Sequence, residues 1–158
     1  MNAIIIRPLC ADDLPSAKKV IDSTGLFPGE MLAEMAAPFL TGTAPDDLWF
    51  VALDQKKIVL GLVYCSPERM TDATWNLLLI AVRENLQGQG VGSRLTRHLE
   101  QTLSQRNARV LIVETSGLAE FDRTRGVYAT LGYDEVARIP EFYATGEDKV
   151  VFWKRLSD

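Results

Sequence analysis

The chain has 158 residues, 47% of them hydrophobic and 24% charged, and a formal net charge of −4. This length and composition are typical of one globular domain, and we predict a single domain over residues 1–158. The acidic balance argues against a nucleic-acid partner, no apolar run approaches the roughly 20 residues of a membrane span, and the N-terminus has no secretory signal, so we expect a cytoplasmic protein.

The first half of the chain predicts a strand, two helices and three further strands. The ranges are a strand over residues 3–9, helices over 13–24 and 28–40, and strands over 47–54, 58–67 and 73–82. Asp12 or Asp13 is expected to cap the first helix, and Pro38 and Gly42 to end the second. Gly61 lies inside a strand, which indicates a bulge or the close approach of another segment.

The second half alternates helices and strands. The ranges are helices over residues 93–108 and 122–133, and strands over 108–116, 134–143 and 149–156. Ser93 is expected to open the first of these helices, whose Leu95, Leu99 and Leu103 repeat at spacings of four, and Gly132 to close the second. The order of elements predicts one mixed sheet with helices on both faces, including a right-handed βαβ crossover with parallel strands.

The segment NLQGQGVGSRL, residues 85–95, places three glycines between an apolar strand and a helix. It is not a Walker A loop, because Ser93 and Arg94 follow the last glycine where that motif requires a lysine. It is one residue short of a dinucleotide fingerprint, although Glu114 lies where a ribose-binding acid would be. A nucleotide-dependent oxidoreductase therefore stays an alternative. A glycine loop that enters a helix directly also suits a pyrophosphate bound by main-chain N–H groups.

The segment IAVRENLQGQGVGSRL resembles the signature of the GNAT superfamily, the acyl-CoA-dependent N-acyltransferases. Gln87, Gly90 and Gly92 match its pattern of Arg or Gln, two residues, Gly, one residue, and Gly or Ala. IRPLCADDL, VYATLGYDEVARI and EFYATGEDKVVFWKRL resemble the family's opening, its late helix end and its closing strands. The resemblance covers essentially the whole chain. It implies an α+β (α/β) fold with a mixed, mostly antiparallel central sheet flanked by helices on both faces.

The resemblance also implies acetyl-CoA as the co-substrate, with no metal. The main chain of Ile80, Ala81 and Val82 would then contact the pantetheine arm, which can pair like an added strand. The residues expected to hold the pyrophosphate are Gly88, Gln89, Gly90, Val91, Gly92 and Ser93, and Gln87 of the motif is a further expected cofactor-binding residue. The two cysteines and the single histidine have no metal-ligand spacing, which agrees with a metal-free reaction.

The implied activity is N-acetyl transfer by direct attack of an amine on the thioester. By position, Tyr128 would be the general acid, and Glu114 a general base acting directly or through water. Their alternatives are a tyrosine packed on the sheet and a carboxylate held in an ion pair. Many family members carry an Asn that contacts the cofactor, and Phe121 stands at that position here.

Acceptor recognition is expected in the first two helices and between the closing strands. The candidate residues are Phe27, Glu30, Trp75 and Tyr143, for each of which core packing or surface charge is the alternative. The resemblance implies a small-molecule or peptide amine as acceptor, and a homodimer as the family-level expectation. A non-catalytic CoA-binding sensor stays an alternative to the enzyme.

Overall fold

The computed structural model describes residues 3–157, and this part contains seven strands and four helices in the predicted order. The strands are β1 (Ile5–Pro8), β2 (Leu48–Leu53), β3 (Val59–Pro67), β4 (Thr74–Val82), β5 (Val110–Ser116), β6 (Asp134–Ala144) and β7 (Glu147–Arg155). The helices are α1 (Leu14–Thr24), α2 (Leu32–Leu40), α3 (Val91–Gln105) and α4 (Asp122–Thr130).

Neighbouring strands follow the order β1-β2-β3-β4-β5-β7-β6. The β4–β5 pair is parallel, whereas β1–β2, β2–β3, β5–β7 and β6–β7 are antiparallel. The predicted mixed, mostly antiparallel sheet is therefore confirmed. The chain forms two compact units: the first unit holds the described residues up to Ser66 with Leu79–Gln101, and the second holds Pro67–Leu78 with the described residues from Thr102 onward. A single domain over residues 1–158 stays a prediction.

The first unit carries helices on both faces of its strands. Trp49, Val51 and Leu53 of β2 belong to one apolar cluster with residues of α1 and α2. The ring of Phe50, between them, meets the His98 ring of α3 with centroids 4.7 Å apart. Because successive side chains of a strand point to opposite faces, α3 covers the face opposite to α1 and α2. All six residues of β2 are consequently buried.

Both interpretations of the sequence position of Gly61 are confirmed: the β2–β3 register passes from Ala52↔Gly61 to Leu53↔Val59, a bulge, and α3 approaches β3 closely at Gly61. A Cβ at this position would lie 2.9 Å from the carbonyl oxygen of Ala81 on β4 and 3.2 Å from both Leu95 Cδ1 and Val91 Cγ1 on α3. Val91 is the first residue of α3. The missing side chain therefore sets where α3 begins relative to β3 and β4.

Three residues expected at helix ends have different roles or places in the structure. Asp13 lies at the N-cap position of α1. Its carboxylate accepts hydrogen bonds from the Arg7 guanidinium and the Cys10 N–H, and none from the main chain of α1. Pro38 lies inside α2, which ends at the predicted Leu40, and Gly42 follows with a φ of 80°. The third helix, α3, begins at Val91, two residues before Ser93.

We predict that Gly61→Ala destabilises the protein. The added methyl would overlap the Ala81 carbonyl oxygen, and overpacking of this kind costs about 1–3 kcal/mol. Urea denaturation measures the change in the free energy of unfolding. Gly126→Ala in α4 is the matched control, because a Cβ there meets no atom within 4 Å. Equal stabilities of Gly61→Ala and the wild type would contradict the close approach.

Candidate functional site

The glycine loop connects the end of β4 to the start of α3. A single 3-10 turn over Glu84–Leu86 follows β4, and the main chain then reaches Val91 through Gln87–Gly90. Gly88 and Gly90 have φ angles of 79° and 89°, a left-handed conformation in which a residue with a Cβ is strained. The side-chain amides of Gln87 and Gln89 donate to the carbonyl oxygens of Val82 and Asn85 at 3.2 and 3.4 Å. The two glutamines thus brace the loop.

The loop presents the unpaired amide end of α3. The N–H of Arg94 donates to the Gly90 carbonyl oxygen at 3.1 Å, which is the first turn of the helix. The N–H groups of Val91, Gly92 and Ser93 come before it and have no acceptor four residues earlier within the helix. They lie at the positive end of the helix dipole, beside an exposed loop. This arrangement favours an anion such as a diphosphate.

Gly92 is not required by the fold. A Cβ on Gly92 would lie 3.5 Å from Val82 Cγ2 and 3.8 Å from Ile80 Cδ1, which are ordinary van der Waals distances. Ile80 and Val82 are half-buried and Ala81 is buried. The structure thus brings the predicted cofactor residues of β4 and the start of α3 together in the first unit.

Glu114, the candidate base, forms an ion pair with Lys149. The Lys149 Nζ atom lies 2.8 Å from Glu114 Oε2, and the side chains are 11% and 28% exposed, respectively. The same Nζ lies 3.6 Å from the centroid of the Phe142 ring, a cation–π contact. Glu114 is therefore held in the ion pair that was the alternative to a catalytic role, although part of its side chain still faces solvent.

Tyr128, the candidate acid, is buried on α4. Its ring centroid lies 5.6 Å from those of Tyr133 and Phe152. Burial alone raises the pKa of the Tyr128 phenol well above its usual value near 10. Arg125, one turn earlier, donates to the Ser116 and Leu118 carbonyl oxygens, and this anchors the first turn of α4 to the end of β5.

Glu114 and Tyr128 lie on opposite faces of the sheet in the second unit. Val113 of β5 pairs with Phe152 of β7, against which Tyr128 packs. The next pair is Glu114 with Val151. Because successive side chains alternate between faces, Glu114 points away from the face that α4 covers. The two candidate proton-transfer groups are therefore separated by the strands themselves.

Tyr143 lies in a bulge of β6. The β6–β7 register passes from Ile139↔Lys149 to Ala144↔Glu147, so β6 advances five residues while β7 advances two. Glu141, inside the bulge, has a φ of 53°. The Asp148 carboxylate holds the bulge by accepting the Glu141 N–H at 2.9 Å and Arg138 Nη1 at 3.1 Å. These hydrogen bonds lower the pKa of Asp148.

The bulge exposes two aromatic rings near the candidate base. Phe142 and Tyr143 are about half exposed, and their centroids lie 5.1 Å apart at an interplanar angle of 89°. Partial burial raises the pKa of Tyr143, and the nearby charges of Glu114 and Glu147 raise it further. The structure therefore brings Tyr143 close to Glu114.

The other acceptor candidates have mainly structural surroundings. Phe27 packs against the apolar cluster of the first unit. Glu30 is exposed in a 3-10 turn, and its carboxylate lies 3.7 Å from Lys18 Nζ. Trp75 is buried in β4, where it pairs with Leu111. Acceptor binding by these residues stays a prediction.

Sequence reasoning missed Lys149 altogether. Its link to Glu114 depends on the β5–β7 register, which brings together residues that are far apart in the chain. Within residues 3–157, no group of three or more His, Cys, Asp or Glu side chains could hold a metal ion. No helix in the same range has the length and apolar character needed to cross a membrane.

Comparison with known proteins identifies related folds and sequences. The chain is 27% identical to N-alpha-acetyltransferase 30 of Schizosaccharomyces pombe over 101 residues. The match covers 63% of this chain and 65% of the relative, so it spans less than two-thirds of that protein's length. A GNAT-family acetyltransferase crystal structure from Desulfovibrio desulfuricans superimposes with a TM-score of 0.89 at 25% identity, covering 98% of this chain and all of that one.

An aminoglycoside 6'-N-acetyltransferase in complex with coenzyme A has the same fold, with a TM-score of 0.77, 17% identity and 98% coverage of each chain. The family model described as "Acetyltransferase (GNAT) domain" matches residues 45–135. This range includes the glycine loop, Glu114 and Tyr128, and it exceeds half of the sequence. The chain therefore belongs to the GNAT acetyltransferase family.

Proposed function

We propose that this protein transfers an acetyl group from acetyl-CoA to a primary amine of a small molecule or peptide. The observation that carries the proposal is the row of main-chain amides from Val91 to Ser93, which have no acceptor within the helix and lie at the positive end of a 15-residue helix beside an exposed loop. A diphosphate is the group of coenzyme A that such a row of donors suits. Family membership supports the same assignment.

The residues of the first unit fit this co-substrate. We assign the diphosphate to the main chain of Gly88–Ser93, with Gln87 holding the loop against β4. The main chain of Ile80–Val82 is assigned to the amides of the pantetheine arm. These three residues follow the four residues of β4, Thr74–Leu77, that pair with β5.

We assign the two proton transfers of the reaction to Glu114 and Tyr128. The acceptor nitrogen forms a bond to the acetyl carbon while the carbon–sulfur bond breaks. Glu114, directly or through a water, takes the proton that the amine loses, and Tyr128 gives a proton to the departing thiolate. Support comes from the raised pKa of Tyr128, which keeps the phenol protonated, and from the partial exposure of Glu114.

For the acceptor we propose a class of amines and no single compound. The relatives above include an N-alpha-acetyltransferase and an aminoglycoside 6'-N-acetyltransferase, so peptide α-amines and aminoglycoside amines head the candidate acceptors. A panel of these amines with acetyl-CoA, read by release of free thiol, ranks them. A homodimer and a cytoplasmic location stay predictions.

We predict that acetyl-CoA binds the glycine loop and that Gly92→Ala weakens this binding. At 100 times its Kd, acetyl-CoA should stabilise the wild type by about 2.7 kcal/mol in a thermal melt, and NAD(P) should not. A methyl at Gly92 fits the folded chain but obstructs the approach of the diphosphate. Loss of one hydrogen bond to a charged group, about 1.5–3 kcal/mol, raises the Kd by roughly 10- to 100-fold.

Gly126→Ala is again the control, since it adds the same methyl to another helix in open space. It should leave the acetyl-CoA affinity unchanged. Stabilisation by NAD(P) in place of acetyl-CoA would reverse the assignment in favour of an oxidoreductase. Stabilisation by acetyl-CoA without turnover of any amine would favour a sensor.

We also predict that Tyr128→Phe lowers kcat by about 100-fold, the scale of general acid catalysis. The phenylalanine keeps the ring contacts with Tyr133 and Phe152, so the melting temperature should change little. Because the raised pKa keeps the wild-type phenol protonated, the contribution of Tyr128 should persist to at least about pH 10. Thiol release across a pH series measures both effects, and wild-type turnover by the variant would refute the assignment.

A further inference from the structure

Lys149 joins three strands of the second unit at one point. It lies on β7, its Nζ contacts Glu114 on β5 at 2.8 Å, and the same atom lies over the Phe142 ring on β6. The residue is only 9% exposed. Removing an ammonium from water is costly unless the charge is paired, so the lysine is held firmly to its two partners.

The contact restricts the Glu114 carboxylate without enclosing it. Lys149 binds the Oε2 oxygen, and the Glu114 side chain is 28% exposed. One oxygen is therefore fixed by a charge-assisted hydrogen bond, which leaves Oε1 as the oxygen that would receive a proton. A carboxylate fixed at one oxygen presents the other in a defined direction.

The Phe142 contact extends this restraint to the bulge. Phe142 and Tyr143 lie between Glu141, whose N–H the Asp148 carboxylate accepts, and the end of β6. Lys149 follows Asp148 directly in the chain. Asp148 holds the bulge through the Glu141 main chain, and Lys149 holds it through the Phe142 ring. The exposed aromatic pair and the carboxylate are thus placed relative to each other by one side chain.

We propose that Lys149 is a positioning residue for acetyl transfer: its ammonium orients the Glu114 carboxylate as proton acceptor and fixes it relative to Phe142 in the bulge. This role rests on the proposed function. Lys149 itself contacts neither the acetyl group nor the acceptor. Its effect passes through Glu114.

The test compares kinetic constants of Lys149→Met and Lys149→Arg, with the best acceptor from the amine panel. Lys149→Met keeps most of the side-chain volume but removes the charge. It should lower kcat by about 10- to 100-fold, the usual effect of a misplaced catalytic group, and change the KM for the acceptor much less. Lys149→Arg restores the charge and should recover most of kcat. Arg109→Met, which removes a cation just before β5, should match the wild type.

A double-mutant cycle separates positioning from general stability. In a Glu114→Gln background, Lys149→Met should lower kcat no further, because no base remains to be oriented. The melting shift with acetyl-CoA should be the same in all variants. If Lys149→Met does not fold, Phe142→Leu replaces it, with an expected two- to fivefold fall in kcat from the lost cation–π contact, also absent in the Glu114→Gln background.

Two results would overturn the positioning role while leaving acetyl transfer intact. One is a wild-type kcat in Lys149→Met, and the other is that Lys149→Met and Glu114→Gln lower kcat by independent factors that multiply in the double variant. Failure of the wild type to bind acetyl-CoA or to acetylate any amine of the panel would overturn both. The role is established if Lys149→Met lowers kcat, Lys149→Arg recovers most of it, and Lys149→Met has no additional effect on kcat in the Glu114→Gln background.

Discussion

The unpaired amides at the start of α3 are the feature on which the proposed activity depends. Their position is set by two kinds of glycine. Gly61 lets Val91 and Leu95 pack directly against β3, and Gly88 and Gly90 supply the left-handed turns that lead the chain into the helix. Gly61 acts from inside the fold, whereas Gly88 and Gly90 belong to the main chain assigned to the diphosphate. Together they hold Gly92 and Ser93 at the helix start with their N–H groups available to an anion.

The second unit contributes a different physical device, the alternation of side chains along a strand. Val113 and Glu114 are neighbours in β5, yet one faces the side where Tyr128 packs and the other faces Lys149. Burial on the first side holds Tyr128 in its neutral form, and pairing on the second holds Glu114 next to a positive charge. The two faces of β5 at Val113 and Glu114 therefore differ: one is apolar and buried, and the other carries an ion pair.

Local sequence signals predicted the parts of the protein that local physics controls. The order of strands and helices, the glycine loop and the close approach at Gly61 follow from periodicity and from backbone freedom. Long-range pairing decided the rest. Asp13 binds Arg7 of β1 in place of the α1 amides, and Lys149 meets Glu114 only through the β5–β7 register. The bulge at Glu141 likewise depends on Asp148 of the neighbouring strand.

The most direct measurement of the central claim is the response of the main-chain amides of Gly88–Ser93 in a ¹H–¹⁵N NMR titration. Coenzyme A and pantetheine share the thiol arm, but only coenzyme A carries the diphosphate. The account predicts that these amide resonances move on addition of coenzyme A and stay in place with pantetheine. Saturable binding of coenzyme A that leaves the Gly88–Ser93 amides unshifted would contradict it.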